Sequence, residues 1–230
     1  MLPAEAARIE TVHGPLLTVE ALTIDTPDHH KTLVRDLSFE LGAHERLLIV
    51  GESGVGKTSL LRAIAGLWRT GSGRICRPPL AEILFLPQRP YMVLGSLRLQ
   101  LSYPRMVDVG DEEILSVLRR VGLADLPAQV GGLDAEPRWK DLLSLGEQQK
   151  IAFARRLLDA PAWVFLDEAT SALDPASETL LYQQIAAANI AVVSVRTRVG
   201  LLEFHDVMLE LLGGGEWRIS RLAPSALERG

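Results

Sequence analysis

The sequence contains one cysteine, Cys76, and this scarcity excludes two kinds of site. A single thiol can form neither a disulfide within the chain nor a metal site built from several cysteines, so a reducing compartment is expected. Lysine is also scarce, because only four of the 24 basic residues are lysines. One of the four, Lys57, lies in the motif on which the functional interpretation depends.

Long apolar runs are absent as well. The most apolar segments, 46–50, 163–166 and 190–195, are far shorter than the roughly 20 residues that a bilayer-spanning helix needs. The formal net charge of −5 argues against general nucleic-acid binding, which requires a basic surface. Hydrophobic residues make up 47% of the 230 residues, which is typical of a chain that folds around a core.

Short apolar segments alternate with helical patterns along the chain. Strands are predicted at 16–24, 33–41, 47–50, 83–86, 163–166 and 191–195. Helices are predicted from 57 to about 67, between 111 and 122, from about 144 to 158, and after the Asp174–Pro175 start signal. This alternation predicts an α/β fold with a mostly parallel sheet, an N-terminal antiparallel β subdomain and an inserted α-helical subdomain at about 91–158.

The stretch GESGVGKT matches the phosphate-loop pattern G-x-x-x-x-G-K-[ST] between a predicted strand and a predicted helix. Its glycines let backbone N–H groups wrap an anion, and the helix directs its positive end at that anion. Lys57 would contact the β- and γ-phosphates of a nucleotide, and the Thr58 hydroxyl would ligate Mg²⁺. The motif predicts a P-loop NTPase core whose nucleotide-binding residues are Gly51, Glu52, Ser53, Gly54, Val55, Gly56, Lys57, Thr58 and Ser59.

Two carboxylates, Asp167 and Glu168, follow the predicted strand at 163–166. Such a pair is often no more than a solvated strand end. Combined with a phosphate loop, it predicts a Mg²⁺ ligand in Asp167, acting directly or through water, and a residue that polarises an attacking water in Glu168.

Three further segments resemble the nucleotide-binding domain of ATP-binding cassette (ABC) transporters. LSLGEQQK at 143–150 resembles that family's signature motif, SALD at 171–174 its D-loop, and LPQ at 86–88 its Q-loop. The signature wording, together with FLPQRPY at 85–91 and FHD at 204–206, resembles the branch that contains peroxisomal fatty-acyl transporters and bacterial relatives moving peptides or cobalamin. Most members of that branch carry a membrane domain ahead of the ATPase. This chain would then be the ATPase portion, or a separately encoded one, with residues 1–15 as a leader or linker and 16–230 as the ATPase domain.

The resemblance implies that two such domains, identical or related, meet head to tail around ATP and Mg²⁺. The signature residues Ser144, Gly146 and Glu147 and the D-loop residue Asp174 would contact the nucleotide. Gln88 would sense the γ-phosphate or the metal, and a transmembrane domain would dock near 91–94. The alternative for 91–94 is ordinary subdomain core. The expected location is the cytoplasmic face of the inner membrane, and the arginine-rich, lysine-poor composition suggests a bacterium.

Two positions depart from the family pattern. The family places a switch histidine three residues after Ser194, where this chain has Thr197. Threonine donates a hydrogen bond but is shorter than imidazole and never cationic, which predicts slow hydrolysis. There are three alternatives. Arg196 or Arg198 takes the role of the missing histidine, the threonine is an engineered change, or the protein naturally tolerates a threonine at this position. The lone His205 is predicted to be structural.

The second departure concerns adenine. An aromatic residue that stacks on the base is expected at 24–27, where the chain offers Thr26 instead, and a stack by His29 or His30 is the alternative.

Three functions follow from these observations. The first is an ATPase that powers a membrane transporter. The second is a non-catalytic module that dimerises around ATP. The third is a soluble ABC ATPase of translation or DNA repair, although such proteins usually carry two cassettes or a long coiled-coil insertion, which this chain does not.

Overall fold

The computed structural model describes residues 8–104, 106, 108–159, 161–188, 190–197 and 199–223. In chain order the strands are β1 (Glu10–His13), β2 (Leu17–Asp25), β3 (Thr32–Leu41), β4 (Arg46–Val50), β5 (Gly71–Arg77), β6 (Ile83–Pro87), β7 (Trp163–Asp167), β8 (Ala191–Val195), β9 (Val207–Gly213) and β10 (Glu216–Arg221). The α-helices are α1 (Lys57–Ile64), α2 (Leu97–Ser102), α3 (Asp111–Arg120), α4 (Leu126–Val130), α5 (Trp139–Leu142), α6 (Leu145–Asp159) and α7 (Pro175–Ala187).

The first sheet has the strand order β1-β5-β2-β3. β2 is antiparallel to both β3 and β5, which confirms the predicted antiparallel subdomain. β1 pairs parallel to β5, with Glu10 opposite Arg74. The leader or linker predicted at 1–15 therefore includes an edge strand at 10–13, whose mostly exposed side chains give it little hydrophobic pattern.

The second sheet has the strand order β10-β9-β4-β8-β7-β6. β9, β4, β8 and β7 are parallel neighbours, and β10 runs antiparallel to β9. Leu47, Leu48 and Ile49 of β4 are fully buried, as expected for a strand that is covered on both faces. The predicted α/β class with a mostly parallel sheet is confirmed.

The chain divides into two compact units. The first comprises the described residues of Met1–Phe85, Ala162–Asp167 and Ile190–Gly230, and the second those of Leu86–Pro161 and Glu168–Asn189. The first unit therefore holds both sheets, except the last two residues of β6, together with α1. The second unit holds α2 to α7.

Helix α1 contributes Leu60, Leu61 and Ile64 to the core of the first unit, where they pack with side chains of both sheets. Burying each such side chain stabilises the fold by about 1.5–3 kcal/mol. The helix was predicted to reach about residue 67 but ends at Ile64. Gly66 has a φ of +79° and its N–H donates to the Ala63 carbonyl, so the chain turns there instead of continuing the helix.

In the second unit, α3 spans most of the predicted 111–122 helix, and α6 spans the predicted 144–158 helix. Acidic residues lie in the first turn of α3 and Arg119 and Arg120 in the last, which matches the helix dipole. Trp139 is buried, and its indole donates to the Gly95 carbonyl at 2.7 Å. Across the described ranges, no helix combines the length and the apolar character needed to cross a membrane.

Gly71 offers a test of the first sheet, because β5 passes very close to β2 there. Its φ is +139°, and an added Cβ would lie 2.0 Å from the Thr23 carbonyl oxygen. Gly71→Ala should therefore lower the free energy of unfolding by about 3 kcal/mol or more, as measured by urea denaturation.

Gly214→Ala is the matched control, since Gly214 has a φ of +63° with no atom within 4 Å of an added Cβ. It should cost only the positive-φ penalty of about 1 kcal/mol. Equal losses for the two variants would contradict a steric requirement at Gly71.

Candidate functional site

The phosphate loop connects β4 to α1, and its backbone conformation requires glycine. Gly51, Gly54 and Gly56 have φ values of +150°, +82° and +113°. A Cβ on Gly51 would lie 2.5 Å from the Leu211 carbonyl oxygen. Left-handed glycines let successive N–H groups face one concavity, which is the geometry of an anion cradle. Glu52, Ser53 and Gly54 form the exposed part of the loop.

Lys57 is only 6% exposed. Its ammonium group donates to the carbonyls of Gly51 and Glu52, each at 2.7 Å. These two hydrogen bonds hold the charge of Lys57 inside the loop. A phosphate bound by the loop would therefore meet a positive charge that is already in place.

Thr58 connects the first turn of α1 to the end of β7. Its hydroxyl donates to Oδ1 of Asp167 at 3.1 Å. A hydroxyl beside one carboxylate is the oxygen donor set that suits Mg²⁺, which usually takes one or two protein oxygens and completes its shell with water and phosphate. The residues present therefore fit a magnesium–nucleotide complex.

Thr197 lies at the same edge of the second sheet, two residues after β8. The N–H of the preceding Arg196 donates to the Ile49 carbonyl at 2.9 Å, near the end of β4. Because β4, β8 and β7 are parallel, the segments after their carboxyl ends gather at one edge, which is where α/β sheets bind ligands. Thr197 is exposed there. Arg198, the other alternative to the missing histidine, lies outside the described residues.

His205 is structural, as the sequence predicts, because it is buried within the first unit. Nδ1 lies 2.8 Å from the Leu201 carbonyl oxygen and Nε2 lies 3.0 Å from the Ser194 hydroxyl. A carbonyl only accepts, so Nδ1 carries the proton and Nε2 accepts from Ser194. Burial lowers the pKa of His205 to about 4, and the charges of Arg46 and Arg196 also lower it.

Glu168 follows Asp167 directly but belongs to the second unit. Its φ is +51°, an uncommon conformation for a residue with a side chain and one that concentrates at functional sites. The side-chain amide of Gln88 donates to Oε2 of Glu168 at 3.2 Å and lies 3.5 Å from the Ser171 hydroxyl. The structure thus brings together the predicted Q-loop glutamine and the predicted catalytic glutamate.

The signature forms the N-terminus of α6 through a capping box. The Ser144 hydroxyl and N–H both donate to Oε2 of Glu147, at 2.6 and 2.9 Å, and the Glu147 N–H donates back to the hydroxyl at 3.3 Å. Gly146 packs against the D-loop, because a Cβ there would lie 2.9 Å from the Ala172 carbonyl oxygen.

Asp174 caps α7, as its sequence predicts. It accepts from the Ser177 N–H at 2.9 Å. Hydrogen bonding to Ser177 lowers the pKa of the Asp174 carboxyl. The D-loop of the second unit therefore ends in a charged, exposed carboxylate.

Sequence reasoning missed three buried polar residues of α6, Gln149, Arg155 and Arg156, which are 0%, 7% and 2% exposed. Arg155 donates to the carbonyls of Gln100 and Tyr91, at 2.5 and 2.9 Å, and its guanidinium lies 5.8 Å from the Tyr103 ring centre. Burial lowers its pKa to about 10, so it stays charged at neutral pH. One sequence signal for Gln149 was available. The residues three and four positions after it are apolar, and this spacing places Gln149 on the buried face of the helix.

The stretch 24–27 provides no stacking ring. The Thr26 hydroxyl donates to the Asp28 carboxylate within the turn. His29 and His30 are both exposed in that turn. The indole of Trp68 donates to the Asp25 carbonyl at 3.0 Å, so an aromatic side chain from outside this stretch contacts it.

Residues 34–171 match the model of the family described as ABC transporter. The chain belongs to the ABC transporter family. This match confirms the resemblance on which the sequence interpretation rests.

Among curated relatives, the chain is 48% identical to an uncharacterized ABC transporter ATP-binding protein of Synechocystis sp., covering 92% of this chain and 32% of that protein. It is 41% identical to the chloroplastic ABC transporter D family member 2 of Arabidopsis thaliana, covering 85% and 34%. It is 40% identical to the human lysosomal cobalamin transporter ABCD4, covering 89% and 36%. These D-family relatives agree with the suspected branch. The chain spans about a third of their length.

A solved bacterial Atm1-family ABC exporter with ATP bound has the same fold, with a TM-score of 0.75 and 25% identity over 96% of this chain and 42% of that one. This likeness confirms the predicted fold as that of an ABC ATP-binding domain.

The burial of His205 should make the stability of the ABC domain depend on pH. Between pH 6.5 and about 4 the unfolded chain binds a proton that the folded chain does not. The contribution of His205 is therefore complete above pH 6.5 and falls as the pH drops, by up to about 3 kcal/mol. Urea unfolding of wild type and His205→Gln at pH 7.5, 6.0 and 4.5 should show a smaller pH dependence in the variant.

His30→Gln serves as the control for removal of an imidazole, because His30 is exposed in a turn and its replacement should leave the free energy of unfolding at pH 7.5 close to that of wild type. If the stability difference between wild type and His205→Gln is the same at all three pH values, His205 does not titrate as described.

Proposed function

We propose that this ABC domain binds ATP with Mg²⁺ and, paired with a second domain of the same kind, hydrolyses it to drive transport through a membrane domain. The observation that carries the proposal is the hydrogen bond between Thr58 and Asp167 beside a glycine-lined phosphate loop, within one compact unit. It joins the two motifs that magnesium–nucleotide chemistry requires.

The phosphate loop and Lys57 would hold the β- and γ-phosphates. Lys57 would exchange its bonds to the Gly51 and Glu52 carbonyls for bonds to phosphate oxygens, which are charge-assisted and stronger. Thr58 and Asp167 would hold Mg²⁺, with Gln88 as a further oxygen ligand. When bound, the metal would supply positive charge that neutralises the transferred phosphoryl group.

Glu168 would act as general base. It is the residue directly after Asp167, the proposed Mg²⁺ ligand. Its carboxylate would take a proton from the attacking water while Gln88, 3.2 Å away, orients that carboxylate. The balanced reaction converts ATP and water into ADP and phosphate.

The second copy would contribute the signature to the nucleotide. Ser144 is exposed at the start of α6, a helix of 15 residues, and so offers a hydroxyl and a positive helix end to an anion. Gly146, Glu147 and Asp174 would complete this half-site. ATP clasped between two chains would then hold them together, and hydrolysis would release them.

The membrane domain would dock on the loop that follows Gln88. Tyr91 and Leu94 are 66% and 89% exposed, which excludes the core interpretation for these two side chains. The loop is nevertheless held in place, since Arg155 donates to the Tyr91 carbonyl and Gln100 exchanges two hydrogen bonds with the backbone of Val93. A fixed loop with exposed apolar side chains suits a protein partner.

This assignment also gives a location and domain limits. The ATPase domain predicted at 16–230 would also include β1 (Glu10–His13), which pairs with β5. It would attach through its membrane partner to the cytoplasmic face of a bacterial inner membrane. The Synechocystis relative and the D-family relatives support a transporter more than a soluble ABC ATPase of translation or repair.

Thr197 favours a second candidate function, a module that dimerises around ATP but hydrolyses it slowly or not at all. A threonine hydroxyl at the switch position can donate one hydrogen bond but cannot reach as far as imidazole. Loss of one transition-state donor costs about 10²–10³ in rate. The same chain could then serve as the degenerate half of an asymmetric pair.

The central test is ATP-dependent dimerisation. Glu168→Gln removes the general base but keeps an amide that can pair with Gln88, so bound ATP should persist and trap the dimer. Mass measurement by light scattering should give a monomer without nucleotide and a dimer with ATP and Mg²⁺.

Adding Lys57→Ala to Glu168→Gln should abolish the dimer by removing phosphate binding, and adding Ser144→Ala should weaken it while leaving ATP binding by the monomer intact. The proposal would be overturned if ATP-bound Glu168→Gln stays monomeric at high protein concentration, or if Ser144 has no influence.

The second test restores the missing side chain. Thr197→His should raise dimer-dependent ATP turnover by about 10²-fold or more, because it adds a donor to the transition state. Thr197→Val, which removes the hydroxyl at nearly constant shape, should not exceed wild type. If turnover by Thr197→His does not rise, the threonine is not what limits hydrolysis.

A further inference from the structure

Gln149 is a fully buried amide on the helix that begins at the signature. It lies on α6 five residues after Ser144, and its exposure is 0%. Buried amides are hydrogen-bonded as a rule, because each unsatisfied donor or acceptor costs free energy. The partners of Gln149 therefore indicate what its burial accomplishes.

The nitrogen and the oxygen of the Gln149 side-chain amide each bind one loop of the second unit, and the two loops are different. Nε2 donates to the Gln88 carbonyl in the Q-loop at 2.8 Å. Oε1 accepts from the Ala172 N–H in the D-loop at 3.1 Å. Nε2 also lies 3.5 Å from the hydroxyl of Ser171.

These contacts connect the signature helix α6 with the Q-loop and the D-loop of the second unit. Gln88 itself donates to Glu168 and lies 3.5 Å from Ser171, so Gln149 fixes the backbone of the residue that orients the proposed general base. On the opposite side of the same network, Gly146 of the signature packs on the Ala172 carbonyl. One side chain thus sets the spacing of the Q-loop and the D-loop against the signature helix.

We infer that Gln149 is a positioning residue: it holds the Q-loop and the D-loop in the arrangement that the ATP-bound dimer needs. The inference rests on the proposed function. Gln149 touches neither phosphate nor metal; it acts through the backbones of Gln88 and Ala172. An amide can serve both loops, since it presents a donor and an acceptor at the end of one side chain, whereas an ionised carboxylate of the same length only accepts.

Two variants distinguish the hydrogen bond to the Q-loop from the hydrogen bond to the D-loop. Gln149→Met matches the length of the side chain but removes both hydrogen bonds. Gln149→Glu keeps an oxygen for the Ala172 N–H but places a carboxylate against the Gln88 carbonyl. Gln184→Met is the matched control, because Gln184 lies on α7 of the same unit and accepts a hydrogen bond from Arg120 at 2.9 Å.

The experiment measures monomer ATP affinity, dimer dissociation constant in the Glu168→Gln background, and hydrogen exchange of the peptide that contains Ala172. For Gln149→Met we expect monomer ATP affinity within about twofold of the parent, dimerisation weakened about tenfold or more, and faster exchange at Ala172. Gln149→Glu should weaken dimerisation but keep Ala172 protected. Gln184→Met should match the parent in all three measurements.

Two outcomes would overturn the inference: unchanged dimerisation in Gln149→Met, or an equal loss in Gln184→Met, which would indicate a general effect on stability. If the Glu168→Gln parent itself fails to dimerise with ATP, the proposed function fails first. The two failures are therefore distinguishable, because the parent protein reports on the function and the paired variants report on Gln149.

Discussion

The arrangement of parallel strands β4, β8 and β7 is the constraint on which the site depends. Each strand delivers its carboxyl end to the same edge of the sheet, so the segments that follow them meet there. The hydrogen bond from Thr58 to Asp167 is the direct result. These residues are 109 positions apart in sequence, and the order of the strands brings them together. Without this strand order, the phosphate loop and the acidic strand end would be unrelated motifs.

A second constraint is the left-handed backbone conformation of Glu168. Asp167 ends β7 while Glu168 adopts a left-handed conformation, so two consecutive carboxylates take different partners, Thr58 and Gln88. A left-handed residue with a side chain costs about 1–3 kcal/mol and persists only where its surroundings fix it. The Ser171 N–H, which donates to the Glu168 carbonyl at 3.1 Å, is one such constraint.

Features that depend on a local pattern of residues could be predicted from the sequence, whereas features that depend on contacts between distant residues could not. The buried strands β4, β7 and β8, the phosphate loop and the Asp174 cap could be predicted because each has a continuous signature in neighbouring residues. β1 could not, since its partner β5 lies about sixty residues away and its side chains are mostly exposed. Gln149 and Arg155 were missed for another reason: polar residues on a helix usually face water, and the apolar spacing that marks the buried face of α6 has to be given more weight than their polarity.

The groups proposed to bind phosphate already have partners within the chain. Lys57 donates to two loop carbonyls and Ser144 donates to Glu147. Binding therefore exchanges existing hydrogen bonds for new ones, and the net gain per bond is about 0.5–1.5 kcal/mol, larger where an ionised phosphate accepts. A nucleotide bound by one chain would gain only the interactions of the phosphate loop. On the proposed function, the interactions of the signature would be added when a second chain supplies them, and dimerisation would therefore depend on ATP.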